Sequence, residues 1–279
     1  MTVDKKNFAW PEGRQGSTML KILLARLQQG HQTMKYPAER PPKLSDRFRG
    51  HPVLDAGKCP NACHACVEAC PTGAMALQDD QPVIDMGKCL FCNACADACP
   101  EHAITFTAAY QLAARRRGDL LAVGDSSAQS RDDSLNKDIR KLFGRSLKLR
   151  QVSAGGCNAC EADTNVLNTL AWDLGRFGIQ FVASPRHADG LLVTGPVTQN
   201  MKAALLKTYA AVPSPKIVIV VGACAISGGP YANHEETCNG VADILPVNLY
   251  IPGCPPHPLT ILDGLLRLLG KSERPDFTV

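Results

Sequence analysis

Thirteen of the 279 residues are cysteine, and eight of those fall in two runs built to one plan. The first reads Cys59-x3-Cys63-x2-Cys66-x3-Cys70-Pro71, and the second Cys89-x2-Cys92-x2-Cys95-x3-Cys99-Pro100. Thiolates are soft ligands, suited to zinc, copper(I) and iron–sulfur centres rather than to hard cations. Closely spaced cysteines on one tight turn converge on a single centre. The small neighbours Ala62, Ala65, Ala94 and Ala96 admit that centre near the backbone. Four-cysteine zinc sites use separated CxxC pairs, not four thiols in one run ending in proline and then repeated. The chemistry indicated is a pair of iron–sulfur clusters.

The second run has the spacing of bacterial ferredoxins. There, three close cysteines grip one cubane and the fourth reaches across to the other. On that scheme Cys59, Cys63, Cys66 and Cys99 bind one 4Fe–4S cluster, and Cys89, Cys92, Cys95 and Cys70 bind the second. The extra residue between Cys59 and Cys63 departs from the usual spacing and is expected to bulge out. His64 and His102 lie nearby, but eight thiolates already satisfy two cubanes, so both read as hydrogen-bonding or surface residues.

Five cysteines remain: Cys157, Cys160, Cys224, Cys238 and Cys254. Cys157 and Cys160 follow Gly155-Gly156 on a loop leading into a helix. Cys224 follows the apolar run "KIVIVVG", and Cys254 ends "VNLYIPGC". In an open α/β sheet, ligands gather in the crevice at the carboxyl ends of the strands. These four thiols can therefore converge on a third 4Fe–4S cluster. Cys238, in "HEETCNGVAD", lies away from any strand end and reads as a free thiol packed near the site.

Elements must position these cysteines. Residues 1–50 hold a short amphipathic helix, "STMLKILLARLQQG", capped by Ser17 or Thr18 and ended by Gly30, then a proline-rich extended strap. The helix either packs on the protein's own core or docks at a membrane interface or membrane subunit. The duplicated cysteine module occupies 51–119, and residues 107 to about 119 read as helical. A polar stretch, "GDSSAQSRDDSLN", makes 120–138 a linker. Over 139–272 the runs "GIQFVAS", "GLLVTG", "KIVIVVG" and "VNLYIPG" alternate with helix-compatible segments. The fold class is thus α/β plus α+β: a ferredoxin-like module followed by a parallel-sheet α/β domain.

Composition narrows the function. Thirty basic against 26 acidic residues give a net charge of +4, without the basic stripe of a nucleic-acid binder. Arg115-Arg116-Arg117 reads as a solvated helix face or a subunit contact. The sequence "MTVDKKNFAWPEG" lacks the features of a secretory signal, and no run approaches the length of a membrane span. A reducing compartment, where disulfides rarely persist, is the expectation. No G-x-G-x-x-G opens the α/β region and no G-x-S-x-G is present, so neither dinucleotide binding nor a serine nucleophile has a motif behind it.

"GGCNACE", "SPRHAD", "LLVTGPVT", "GACAISGG" and "YIPGCPP" occur in the order seen in the small subunit of group 4 membrane-bound nickel–iron hydrogenases. The region also resembles the homologous B-type subunit of respiratory complex I. "YPAERPPKLSDRFRG" and "AAYQLAARRRGDLL" look like the ferredoxin-type subunit of formate hydrogenlyase-like complexes, so the chain resembles a fusion of two electron-transfer subunits. The complex I relative carries two adjacent cysteines where this chain has CxxC, which favours the hydrogenase branch.

The resemblance implies an electron-transfer subunit with three 4Fe–4S clusters, peripheral on the cytoplasmic side of the inner membrane. Its implied partners are a nickel–iron hydrogenase-type large subunit, membrane subunits and a donor such as a formate dehydrogenase. The alternative is the equivalent subunit of a complex I-like NADH/quinone oxidoreductase, or of a related complex without nickel. A nickel site of that family needs two CxxC pairs beyond the clusters, so this chain carries no catalytic residue of its own. Glu161 beside Cys160 reads either as a residue behind the cluster ligands, on a proton path, or as a carboxylate at a helix N-terminus. By resemblance Arg186 and His187 bond the cluster or face the large subunit; otherwise they cap local backbone or pair with Asp189. Asp163 stands where relatives often carry glutamate, and Ala223 where aspartate is common.

Overall fold

The computed structural model describes residues 18–272 apart from 31, 42, 60–62, 79–80, 125–142 and 144. Ser17, Ala62 and most of the polar stretch after Gly124 lie outside the described residues. Helix α1 spans Thr18–Gln29 and ends where Gly30 turns to positive φ. Its apolar side chains are not packed on the core: Leu23 is 57% and Leu27 79% exposed. The described residues of the strap, 32–41 and 43–50, then run without regular structure to the cysteine module.

That module opens with β1 (Pro52–Leu54) and the four-residue helix α2 (Ala65–Glu68). The hairpin β2 (Met75–Gln78) and β3 (Gln81–Asp85) follows, then the second four-residue helix, α3 (Ala94–Asp97), and β4 (Ile104–Phe106). β1 pairs antiparallel with β4. β3 pairs with both β2 and β5 (Leu121–Val123). The expected linker therefore begins inside the module's own sheet. Leu54, Ile84, Ile104 and Ala122 form a small core that includes Cys66, Cys89 and Cys95.

Residues 107–119 are not the expected helix. Ala114 exchanges both backbone hydrogen bonds with Tyr250, at 2.9 and 2.8 Å, so this connector caps an edge of the larger sheet. Tertiary pairing and burial of Leu112, Ala114 and Leu120 override the local helix propensity of an alanine-rich run. Of the arginine run, Arg116 is solvated and Arg117 opens a short 3-10 turn, Arg117–Leu120. Arg117 grips Asp85 with two bonds of 2.7 and 2.6 Å, and Arg116 sits 3.6 Å from Asp119.

The second half is built on β6 (Leu147–Ser153), β7 (Ile179–Phe181), β8 (Gly190–Thr194), β9 (Ile217–Val221) and β10 (Leu249–Ile251). They form one parallel sheet in the order β10-β9-β8-β6-β7. Every residue of β8 and β9 is buried, the pattern of strands covered on both faces. The helices are α4 (Ala159–Val166), α5 (Gln199–Ala211), α6 (Ala223–Ser227) and α7 (Pro258–Leu268). All of α7 is buried.

Such burial forces α7 to satisfy its own charges. Arg267 donates to Asp263 at 2.7 Å and to the Ala113 carbonyl at 3.2 Å, while Tyr36 Oη donates to Asp263 at 2.8 Å. Burial and then the Asp263 carboxylate push the Tyr36 phenol well above its ordinary value. Strap, connector and α7 are thereby tied at one buried point, and the two halves share a core in which Met86, Leu120, Ile226 and Tyr250 take part.

Candidate iron–sulfur sites

Folding gathers twelve of the thirteen cysteines into foursomes. Burial pushes the Cys66 thiol up, and Cys59, Cys63 and Cys99 beside it push the same way. Cys59 is raised by burial and then by Cys63 and Cys99. Thus Cys99, from the second motif, stands with three thiols of the first. The converse exchange holds for Cys70. Burial raises Cys89 to about 12 and Cys95 to about 11, with Cys70 and Cys92 adding to both. Cys70, Cys89, Cys92 and Cys95 line one narrow cavity floored by Ile84 and Phe106.

Backbone amides point at these sulfurs. Ala74 N–H donates to Cys70 Sγ at 3.1 Å, Phe91 N–H to Cys89 Sγ at 3.2 Å and Ala103 N–H to Cys99 Sγ at 3.3 Å. At Cys70 burial opposes ionisation, but the amides of Thr72, Met75 and Ala74 outweigh it and the thiol lies below its ordinary value. Left-handed backbone at Phe91 and Asn93 turns the second motif tightly enough to aim its thiols together. His64 and His102 are exposed.

The third foursome forms at the carboxyl edge of the parallel sheet. Burial lifts Cys160 far above its ordinary value, with Cys224, Glu161, Cys254 and Cys157 adding to it. Cys224 is raised to about 11 by burial and then by Cys254 and Cys157. β6 leads into the Gly155-Gly156 loop, β9 into α6 and β10 into the PGCPP turn, so three strand ends deliver the four thiols. Gly222 has φ +92°, and a Cβ there would lie 2.5 Å from Cys160 Sγ. The chain passes this close to the thiol only because that position is glycine.

Glu161, 6% exposed, closes the floor of this site. Its Oε1 accepts from Ser153 Oγ at 2.5 Å and Thr194 Oγ1 at 2.7 Å, tying the ends of β6 and β8 to the first turn of α4. Burial raises the Asp163 carboxyl. Arg186 and His187 form a short 3-10 turn ahead of β8, at the end of the sheet opposite the cysteines, so the structure does not bring them to the foursome. The Asp189 carboxylate accepts the Lys148 N–H at 2.7 Å, which ties this turn to β6. Cys238 packs against the apolar core, its N–H bonded to Val197 O.

The donor set fits clusters rather than single ions. Four neighbouring thiols repel one another as they ionise, and a polynuclear iron centre supplies the positive charge that relieves this. The second and third foursomes are also neighbours, because Cys92 adds to the upward shift that burial and Cys157 impose on Cys254.

A ferredoxin-type module packed on a parallel sheet with thiols at its carboxyl edge defines an iron–sulfur subunit of an oxidoreductase. Residues 58–104 match the 4Fe–4S dicluster domain. Residues 157–268 match the NADH ubiquinone oxidoreductase 20 Kd subunit, and the chain belongs to that family. It is 43% identical to formate hydrogenlyase subunit 7 of Escherichia coli over 54% of this chain, but spans only 57% of that relative. It is 39% identical to the probable membrane-bound hydrogenase subunit mbhJ of Pyrococcus furiosus, over 53% of this chain and 88% of the relative. Identity to the B-type subunit of the NADH-quinone oxidoreductase of Heliobacterium modesticaldum is 37%, over 44% and 70% respectively. The family resemblance carried by the motifs is thus borne out. These relatives are subunits of oxidoreductase complexes.

Proposed function

We propose that the chain is the electron-transfer subunit of a membrane-associated, formate hydrogenlyase-like nickel–iron hydrogenase complex, holding three 4Fe–4S clusters. Each such cluster, when bound, takes up and returns one electron. Cys59, Cys63, Cys66 and Cys99 hold the first, Cys70, Cys89, Cys92 and Cys95 the second, and Cys157, Cys160, Cys224 and Cys254 the third. The observation that carries this reading is the gathering of the thiols into three foursomes, with Cys92 beside Cys254. The chain's residues then set the potentials: amides bonded to Cys70, Cys89 and Cys99 stabilise negative charge, and burial opposes it.

Cys157 and Cys254 are exposed, so the third foursome faces outward, towards a large catalytic subunit in this reading. Glu161 lies behind that face, where a carboxylate can hold a proton or steady the loop. At the other end a donor such as a formate dehydrogenase meets the first foursome. Among the described residues no helix is long and apolar enough to cross a membrane. The exposed apolar face of α1, with Lys21 and Arg26 on a helix free of acidic residues, supports peripheral attachment through membrane subunits or lipid on the cytoplasmic side. The family match to NADH ubiquinone oxidoreductase supports a second reading, the same wiring role in a complex I-like quinone reductase.

Anaerobic purification with metal analysis tests the cluster reading. About twelve iron atoms per chain are expected. A colourless protein with stoichiometric zinc would refute it. A co-purifying large subunit with two CxxC pairs decides for the hydrogenase, and one without them for the quinone reductase.

A further inference from the structure

The strap, residues 32–50, joins the two halves of the molecule. On the α/β side Met34 N–H donates to Ala171 O at 2.9 Å, and Tyr36 reaches Asp263. At its far end Gly50 N–H donates to Thr107 O at 2.7 Å, and His51 N–H to Ala109 O at 2.9 Å. A Cβ on Gly50 would collide with the Ala109 carbonyl oxygen, so the strap rests directly on the connector backbone. Between these anchors the Phe48 ring lies 5.5 Å from His257, and Arg49 Nη1 donates to the Phe91 carbonyl at 3.3 Å.

Phe91 is where the second foursome meets the third. Its carbonyl belongs to the peptide that leads into Cys92, and its N–H bonds Cys89 Sγ. Its side chain packs against both the module's core and the α/β core. Its φ of +54° is a conformation that a bulky residue holds only when its surroundings impose it. Arg47, Phe48 and Arg49 wall a cavity of about 250 Å³ whose other sides carry Phe91, Asp163 and Cys254. Strap, Phe91 and the Cys254 turn thus wall one cavity, and Arg49 reaches from the strap to the Phe91 carbonyl. The buried Thr260 hydroxyl, without a hydrogen-bond partner, lines the same space and offers bound water a floor.

We propose that Arg49 is a positioning residue for electron transfer between the second and third cysteine foursomes. It ties the Phe91–Cys92 peptide to the strap, whose neighbouring Phe48 ring packs on His257, three residues past Cys254, and the strap so holds the two sites at a constant separation. This inference rests on the three-cluster reading above. Tunnelling falls exponentially with distance, so a side chain that ties a ligand loop to the strap acts on the rate without touching iron. Lysine at this position keeps the charge and one donor but loses the planar fork.

The test uses the full chain, purified anaerobically as wild type, Arg49→Gln and Arg49→Lys. Its readouts are iron content and the magnetic interaction between the reduced second and third clusters by electron paramagnetic resonance. Transfer between those clusters after flash reduction is a third. Both variants are expected to keep wild-type iron. Arg49→Gln should reduce the interaction splitting and slow the transfer by about tenfold, the lower end of what changes just outside the ligands cost a metal site. Arg49→Lys should recover part of both. Wild-type splitting and rate in Arg49→Gln would overturn the proposal. So would equal loss of iron in both variants, which would make Arg49 a folding residue. A wild-type chain short of its third complement of iron would instead fail the three-cluster reading and take this proposal with it.

Discussion

The two halves of the molecule collect thiols in opposite ways. In the cysteine module each run supplies three closely spaced thiols and lends the fourth to its neighbour, so the two sites are local in sequence but interdependent. In the α/β half, one foursome draws on residues 157, 160, 224 and 254, brought together by strands β6, β9 and β10. The first arrangement needs short loops and little else. The second needs a complete sheet, and its geometry is only as secure as the packing beneath it.

Single cysteine changes should break this contrast most sharply. Cys254→Ser is expected to remove about four iron atoms and one spectroscopic signal, leaving the module's pair intact. Cys70→Ser should also remove about four, but from the site of Cys89, Cys92 and Cys95, although Cys70 lies in the first run. Iron analysis with electron paramagnetic resonance distinguishes the sites. Loss of the signal belonging to Cys59, Cys63 and Cys66 instead would show that the runs do not exchange their fourth thiols.

A smaller effect is expected from the point that joins the halves. Asp263 and Arg267 are 0% and 4% exposed at the side chain, and Tyr36 and Ala113 bring strap and connector to them. Asp263→Asn leaves a buried guanidinium without its counter-charge, at a cost of about 3–5 kcal/mol. Anaerobic denaturant unfolding should show that loss. Tyr36→Phe, which removes only a neutral donor, should cost about 1–2 kcal/mol. Equal stability of wild type and Asp263→Asn would remove this pair as the fastening between the halves.

The contrast also governs what could be read beforehand. The module's foursomes were legible because spacing within a run is a local property. The third was legible because Cys224 and Cys254 follow apolar runs, and those runs are strands β9 and β10. The strand feeding Cys157 and Cys160 was missed: "LKLRQVS" forms β6, and Leu147, Leu149 and Val152 were its buried signal. The connector was misread because an alanine- and arginine-rich run favours helix until a sheet edge claims it. Arg186 and His187 were placed by motif alone, and a motif does not say at which end of a sheet its turn will lie. The proposed role of Arg49 had no sequence signal, since it depends on where a long-range crossing sets the strap down.

The smallest expected effect concerns the turn that carries Cys254. His257 caps α7, its Nδ1 accepting the Leu259 N–H at 3.1 Å, and its ring meets Phe48 and Trp172 edge-on. Burial holds its pKa below the usual 6.5. The folded state therefore binds this proton less readily than the unfolded chain, and protonating Nδ1 also forfeits the cap. The resulting stability is complete above about pH 6.5 and is lost as pH falls from there through the folded value. Asp163, in the same cavity wall, titrates with the opposite sign. Burial raises it, so the cost of its charge grows as pH rises from 3.8 through its folded value. His257→Asn keeps an acceptor for the cap and removes the proton site. Wild type should lose more stability than His257→Asn between pH 7.5 and 5.5, by about 1 kcal/mol, the size of a cap or of one pKa unit. Parallel unfolding profiles for the two would show that the turn's proton uptake is not coupled to folding.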